Sequence, residues 1–329
     1  MGVKLTSIVT KKQLDFKDLA NKKIVIDFSN SAYQFLSSIR QQDGTPLTDS
    51  KGNITSVYLG IWSRFTKLMQ NNIKLAVVFD GKPPKLKEKE KERRSSLKQQ
   101  AMEKLEKAET DEEKLKFAKR TGRLTQEIID GSKELIKAMG IPIIQAPSEA
   151  DAQMAFMAEQ KDVWATASSD IDCLIYGTPR LITNLTLSQR RRLPSGNYIK
   201  TYPEMIILKD LLNEFQITRD QLLIMAILIG TDYNTGVKGI GPKTALKLVK
   251  QYKDYDELFK QVKPDFNWKE IYAVFKSMPI MKNYQLKWGP PNKEKIKQLL
   301  VDKHEFSEER VDKTLKALNK KQKGLTKWF

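Results

Sequence analysis

Seven acidic side chains carry the chemistry this sequence offers. Asp27, Asp80 and Asp170 each end a short apolar or small-residue run, as Ile26-Asp27, Phe79-Asp80 and Ser169-Asp170. Asp172 follows Asp170 at i+2. Glu149 and Asp151 lie in APSEADAQMAF, and Asp232 sits in LIGTDY after an apolar stretch. Any one of these taken alone reads most simply as a cap, a turn or a surface charge. As a set they repel one another unless they take up protons or bind cations. The chain has 58 Lys+Arg against 40 Asp+Glu, a net charge of +18, which points to a polyanionic partner. Nucleic acid is the leading candidate and an anionic membrane surface the alternative. In such a chain, metal is the better answer for clustered carboxylates. Oxygen-only ligands suit Mg²⁺ or Mn²⁺. Two such ions would activate a water and stabilise the leaving oxygen of a phosphodiester. Cys173 and His304 are the only residues of their kinds. That excludes an internal disulfide, a cysteine metal cluster and a His-rich zinc site, disfavours a Ser-His-Asp triad, and fits a reducing compartment.

Elements able to position these acids are visible as periodicity. Residues 22–29 (KKIVIDFS), 74–80 (KLAVVFD), 162–170 and 179–183 read as strands, the first two as buried, β-branched parallel ones. Ser56–Gln70 has a helical apolar period. Strand–helix alternation predicts an α/β fold with a mostly parallel sheet flanked by helices. Ligands of such sheets bind beyond the carboxyl ends of the strands, where three of the acids fall. Ser148 is placed to cap the helix after APSEA. Residues 82–120 are crowded with charge and read either as a solvated helix with i,i+4 ion pairs or as a mobile basic lid over a phosphate backbone. Residues 210–259 read as helices around a glycine-rich turn, and 307–329 as a basic helix with a short tail. Arg190, Arg191 and Arg192 read as a solvated loop. No repeat or Pro/Ser-rich linker interrupts the chain, which predicts one body over 1–314 and a tail over 315–329. No signal-peptide core begins it, the loose myristoylation pattern at Gly2 and Thr6 is set aside, and the apolar run Leu222 to Ile229 is too short to span a bilayer.

The motifs, taken in order, resemble the flap endonuclease family of structure-specific 5′ nucleases nearly end to end. They are IDFSNSAYQFL (26–36), DGTPLTDSKGNITS (43–56), VFDGKPP (78–84), GIPIIQAPSEADAQ (140–153), SSDIDCLIYG (168–177), LIGTDY (228–233), GIGPKTALKL (239–248) and EFSEER (305–310). The resemblance implies a PIN-like nuclease fold with a helical arch over 82–120 and a helix–hairpin–helix-like element over 210–259. It places the family's active-site acids on Asp27, Asp80, Glu149, Asp151, Asp170, Asp172 and Asp232, with Asp151 standing where most members have glutamate. It implies two Mg²⁺ ions, replaceable by Mn²⁺, and in-line hydrolysis giving a 5′-phosphate and a 3′-hydroxyl, with 5′–3′ exonuclease activity alongside. Lys87 and Arg94 match the phosphate-contacting basic pair, and Tyr33 an aromatic that stacks on a base beside the scissile bond. Without the resemblance, the lysine and arginine read as a solvated helix face and the tyrosine as core.

In GIGPKTA, Gly239 and Gly241 are expected to permit positive φ and close approach to phosphate, and Pro242 to open a helix. Lys243 adds charge, and a K⁺ held by carbonyls is implied at this turn. The last residues, QKGLTKWF, match a sliding-clamp (PCNA) binding box through Gln322, Leu325, Trp328 and Phe329. Implied partners are branched DNA with a 5′ flap and that clamp, with no membrane and a monomer when free. Compact length and a missing basic extension look archaeal. That implies the cytoplasm, with the chromosome, or the nucleus for a eukaryotic chain.

Overall fold

The computed structural model describes residues 5, 7–87, 96, 99, 100, 124–187, 190–192 and 197–325. In chain order it opens with β1 (Lys12–Gln13), β2 (Lys23–Asp27) and α1 (Phe28–Ser38). A longer helical run follows as α2 (Ser56–Gly60), a π turn (Ile61–Phe65) and α3 (Thr66–Gln70), and leads to β3 (Lys74–Phe79) and a 3-10 turn (Lys85–Lys87). Beyond come α4 (Gln126–Ala138), β4 (Ile143–Gln145), α5 (Ala150–Glu159), β5 (Ala165–Ala167), α6 (Asp172–Ile175) and β6 (Arg180–Thr183). A hairpin of β7 (Arg190–Arg192) and β8 (Tyr198–Lys200) precedes β9 (Glu204–Ile207). The rest is helical: α7 (Leu208–Phe215), α8 (Arg219–Ile229), α9 (Pro242–Gln251), α10 (Tyr255–Val262), α11 (Trp268–Lys276), α12 (Lys293–Lys297), a π turn (Gln298–Asp302) and α13 (Glu308–Leu325).

The main sheet has the order β1-β9-β6-β5-β2-β3-β4. Neighbours from β4 through β6 are parallel, and β9 closes the edge antiparallel to β6 and to β1. The predicted α/β fold with a mostly parallel sheet is therefore observed. Its centre is built from KIVID and KLAVVF, whose β-branched residues suit a strand covered on both faces. Alternation along β2 divides the core. Val25 joins the cluster under α5, α8 and α9, while Ile24 and Ile26 join the one under α1–α3. Each such fully buried side chain is worth about 1.5–3 kcal/mol over an exposed one. Gly60 lets α1 close on α2, since a Cβ there would stand 2.2 Å from the Phe35 ring.

Several boundaries differ from expectation. The strand expected over 162–170 keeps only Ala165–Ala167: the Ser168 amide still reaches the Ile182 carbonyl of β6 at 3.2 Å, but the Ser169 amide turns to Asn30. The basic run Arg190–Arg192 is a strand of the hairpin rather than a loop. The boundary expected at 314/315 falls inside α13, where Leu315 and Leu318 are buried. Beyond residue 87, the arch expected over 82–120 lies outside the described residues except for 96, 99 and 100.

An extended strap over 277–292 crosses from α11 to α12 and ties distant parts together. Gln153 bonds the Met281 backbone twice, at 2.7 and 2.9 Å, the Tyr284 hydroxyl donates to Asp162, and the Gly289 amide donates to the Gly140 carbonyl at 3.0 Å. Among the described residues no helix is long and apolar enough to cross a membrane.

Candidate active site

The acids are positioned by where the parallel strands stop. Asp27 ends β2 and caps α1, its carboxylate accepting the Asn30 amide at 3.0 Å. Register sets Asp27 beside Val78 of β3, so Asp80 emerges next to it, two residues further on. The rings of Phe28 and Phe79, each adjacent to one of these acids, stack 4.1 Å apart in the core. Asp80 Oδ1 accepts the Ala150 amide at 2.9 Å and so serves the first turn of α5. That role was expected of Ser148, whose hydroxyl donates instead to the Lys82 carbonyl at 2.8 Å. The reason is the close pairing of the loops after β3 and β4. The Gly81 amide bonds the Ser148 carbonyl at 2.6 Å, and a Cβ on Gly81 would lie 2.2 Å from the Ala146 oxygen.

Glu149 and Asp151 start α5, and Asp170 and Asp172 flank the start of α6. The Asp170 loop is tied to the Asp27 helix through Asn30, whose Oδ1 accepts both the Ser169 amide at 3.0 Å and the Ser169 hydroxyl at 2.9 Å. The Ser168 hydroxyl accepts the Asp170 amide at 3.1 Å. Asn30, Ser168 and Ser169 thus hold the site, although the sequence alone gave none of them a role. Their signal was adjacency to acids, but the partners lie 139 residues apart.

Electrostatics bring the acids into one field. Burial, then Asp80 and Asp170, push the Asp27 carboxyl up to about 8, although the Asn30 amide pulls the other way. Burial, then Asp27, Asp172 and Asp170, hold Asp151 well above the carboxylate range. Glu149 is raised by burial, with Lys87 opposing. Burial alone would lower the Lys87 ammonium, but it stands 2.5 Å from Glu149 and 3.1 Å from Asp232, and these carboxylates hold it up. The predicted lysine is thereby brought into the acid cluster, and so is Asp232. Cys173 also faces the cluster. Its buried thiol donates to Asp151 Oδ1 at 2.8 Å and is raised by burial and by that carboxylate. The Tyr176 and Tyr233 hydroxyls pair at 3.4 Å, and the Glu149 carboxylate acts on both.

Among the described residues no three of these side chains converge on one point as metal ligands. Four of them are turned to a local donor: Asp27 to Asn30, Asp80 to Ala150, Asp151 to Cys173, Glu149 to Lys87. The donor set itself fits a hard divalent cation, being all carboxylate and mutually repulsive.

The remaining predicted residues are spread wider. Tyr33 on α1 is 46% exposed, which removes the core reading. Gly239 has φ +83°, as expected, and neither it nor Gly241 has an atom within 4 Å of a Cβ position. Gly241 corrects the expectation: it lies at φ −97°, ψ 179°, an extended N-cap that any residue can adopt, because Pro242 at the first position of α9 already sets the chain direction. Lys243 is exposed in the first turn of α9. Gln322 and Leu325 fall within α13, while Arg94, Trp328 and Phe329 lie outside the described residues.

Comparison with known proteins gives this geometry its setting. The XPG N-terminal domain matches residues 1–101 and the XPG I-region residues 140–232. Flap endonuclease 1 of Ignicoccus hospitalis is 47% identical over 325 residues, covering 96% of this chain and 93% of its own. The chain belongs to the flap endonuclease family. Flap endonuclease 1 of Pyrococcus furiosus is 46% identical over 340 residues, covering 100% of this chain and 99% of its own. The solved flap endonuclease-1 from Methanococcus jannaschii superposes with a TM-score of 0.77 at 40% identity, covering 96% of this chain and 98% of that one. All seven acids and Lys87 of this chain lie inside the two matched regions. The glycine turn and the C-terminal box lie beyond them.

Proposed function

We propose that this protein is a structure-specific 5′ flap endonuclease that hydrolyses branched DNA near the single-strand/duplex junction, in DNA replication and repair. One observation carries the reading: carboxylates from separate chain segments share one electrostatic field at the carboxyl edge of a parallel sheet, with a lysine among them. A binding-only protein would repel phosphate with these acids to no benefit.

Asp27, Asp80, Glu149, Asp151, Asp170, Asp172 and Asp232 hold two Mg²⁺ ions, or Mn²⁺ in their place, which supply activation of water and stabilisation of charge on the leaving oxygen. Lys87 lies with its ammonium already at the acids, and it stabilises negative charge developing on the scissile phosphate, together with Arg94. Products are a 5′-phosphate and a 3′-hydroxyl, and the same chemistry at a free end gives 5′–3′ exonuclease activity. The exposed Tyr33 ring stacks on a base beside the cut. The basic stretch 82–120 has the role that the family resemblance gives it, admitting a single-stranded flap to the site. The open backbone at Gly239 and Gly241, the start of α9 and Lys243 grip duplex phosphates away from the cut, around a K⁺ ion. Gln322, Leu325, Trp328 and Phe329 dock on the sliding clamp, and the free protein is a monomer.

The test is cleavage of a labelled 5′-flap duplex with Mg²⁺ and with EDTA, by wild type and Asp170→Ala. One cut near the junction, lost in EDTA and nearly lost in the variant while DNA binding persists, is the expected result. Intact flap with either Mg²⁺ or Mn²⁺, despite tight binding by folded protein, would leave a DNA-binding adaptor instead.

A further inference from the structure

The Cys173 thiol has a place in this site that the mechanism above does not use. It is fully buried at the second position of α6, immediately after Asp172, and donates to Asp151 Oδ1 at 2.8 Å. Asp151 sits on a different element, the first turn of α5, and faces Asp27, Asp170 and Asp172. Like charges on several sides favour no single rotamer for such a carboxylate; a donor on one oxygen does. A thiol suits the task because it is a weak donor that fills one of about four lone-pair positions and leaves the others available. The same contact links the starts of α5 and α6, which carry four of the seven acids.

We propose that Cys173 is a positioning residue, whose thiol fixes the Asp151 carboxylate in the orientation from which it holds a divalent cation. Cys173 acts through Asp151 and is not itself a ligand. The inference rests on the metal-nuclease reading and deepens it at one residue.

The experiment is Mn²⁺ binding to the full chain without DNA, followed by the electron paramagnetic resonance of free Mn²⁺. It compares wild type, Cys173→Ala, Cys173→Val, Cys173→Ser, Asp151→Asn and the double variant Cys173→Ala/Asp151→Asn, with thermal unfolding alongside. Alanine and valine should each weaken Mn²⁺ binding about tenfold, the usual size for loss of a partner that orients a ligand, whereas serine restores it to within about twofold. Valine fills the space without donating, so a loss shared by alanine and valine but not serine identifies the hydrogen bond rather than packing. In the Asp151→Asn background, adding Cys173→Ala should weaken binding no further. Wild-type affinity in the valine variant would overturn the proposal, as would a full repeat of the alanine loss in the Asp151→Asn background. Substituting Co²⁺ adds a spectroscopic check: a strong sulfur-to-metal charge-transfer band would make Cys173 a ligand and overturn the positioning role. Absence of Mn²⁺ binding by wild type would remove the metal-nuclease reading and this inference with it. Tight wild-type binding that alanine and valine leave unchanged would remove only the inference.

Discussion

The acid edge of the sheet and the glycine turn before α9 are both proposed to meet DNA, but they are built in opposite ways. Asp27 and Asp80 leave the ends of fully buried strands, and Asn30, Ser168, Ser169 and the Ala150 amide cross-link the loops between them. At the glycine turn, by contrast, Gly239 and Gly241 stand with no atom within 4 Å of a Cβ position. Local bonds shape its approach, with Asn234 accepting from Thr231 and donating to the Ile227 carbonyl at 2.7 Å. Chemistry on a phosphorus atom demands fixed geometry, since a misplacement of about 1 Å can cost about a hundredfold in rate. Gripping a uniform phosphate backbone demands charge and access. The cross-linked geometry at the acid edge and the open backbone at the glycine turn match the two roles proposed for them.

That contrast can be broken experimentally. The largest effect is expected at the acid edge. Asp170→Ala should lower single-turnover cleavage of a 5′ flap by about a thousandfold or more, equivalent to several kcal/mol of transition-state stabilisation, while flap affinity in a gel-shift titration changes little. Lys87→Ala should cost about a hundredfold in the same single-turnover rate. It should also leave Glu149 and Asp232 without their cation, so the melting temperature in EDTA should fall as well. A Lys87→Ala enzyme as fast as wild type would show that the lysine neutralises the acids and does nothing for the phosphate.

The next prediction concerns pH. The Asp27 carboxyl, raised from 3.8 to about 8, binds its proton more tightly in the folded chain than in the unfolded one. Between those values the folded state holds more protons, so stability is greatest at the acid end and falls as pH rises through about 8. Asp151 and Glu149 are raised too and act in the same sense. Melting in EDTA at pH 6 and pH 8 should therefore show the lower midpoint at pH 8, and Mg²⁺ should raise the midpoint more at pH 8 than at pH 6. A midpoint in EDTA independent of pH would contradict the burial of Asp27.

The smallest effects belong to the glycine turn. Lys243→Ala should weaken duplex binding about severalfold and reduce the slope of log K against log salt by about 1, with the single-turnover rate at saturating DNA retained. Gly239→Ala forces a side chain into positive φ and should cost about 1 kcal/mol, whereas Gly241→Ala at its extended φ should be nearly neutral for stability. Equal destabilisation by the two would contradict the backbone assignment.

The same contrast explains what was legible in the sequence. Asp27 and Asp80 could be read because a β-branched run that ends in an acid marks both a buried strand and its exit. The parallel sheet followed from several such runs separated by helical periods. Lys87 and Tyr33 were visible through family resemblance alone, for their own spacing favoured a helix face and a core position. The bonds that hold the site were illegible because they join residues remote in sequence: Asn30 to Ser169, Asp80 to Ala150, Asp151 to Cys173. Ser148 misled for the same reason, since its neighbour in space is Lys82 rather than its own helix. Gly241 misled because glycine was read for the positive φ it permits, when proline already fixes the turn. The antiparallel closure by β1 and β9 escaped because β1 has two residues, too few to show alternation.

The spacing of Lys87 and its two partners along the chain has a consequence for biosynthesis. Glu149 follows Lys87 by 62 residues, Asp232 comes later still, and the strap that steadies α5 arrives only with Met281. A ribosome therefore releases Lys87 well before the last of these acids, Asp232, has emerged. The acid set is thus complete only once residue 232 of 329 has emerged, and the contact of the strap with α5 only once residue 281 has.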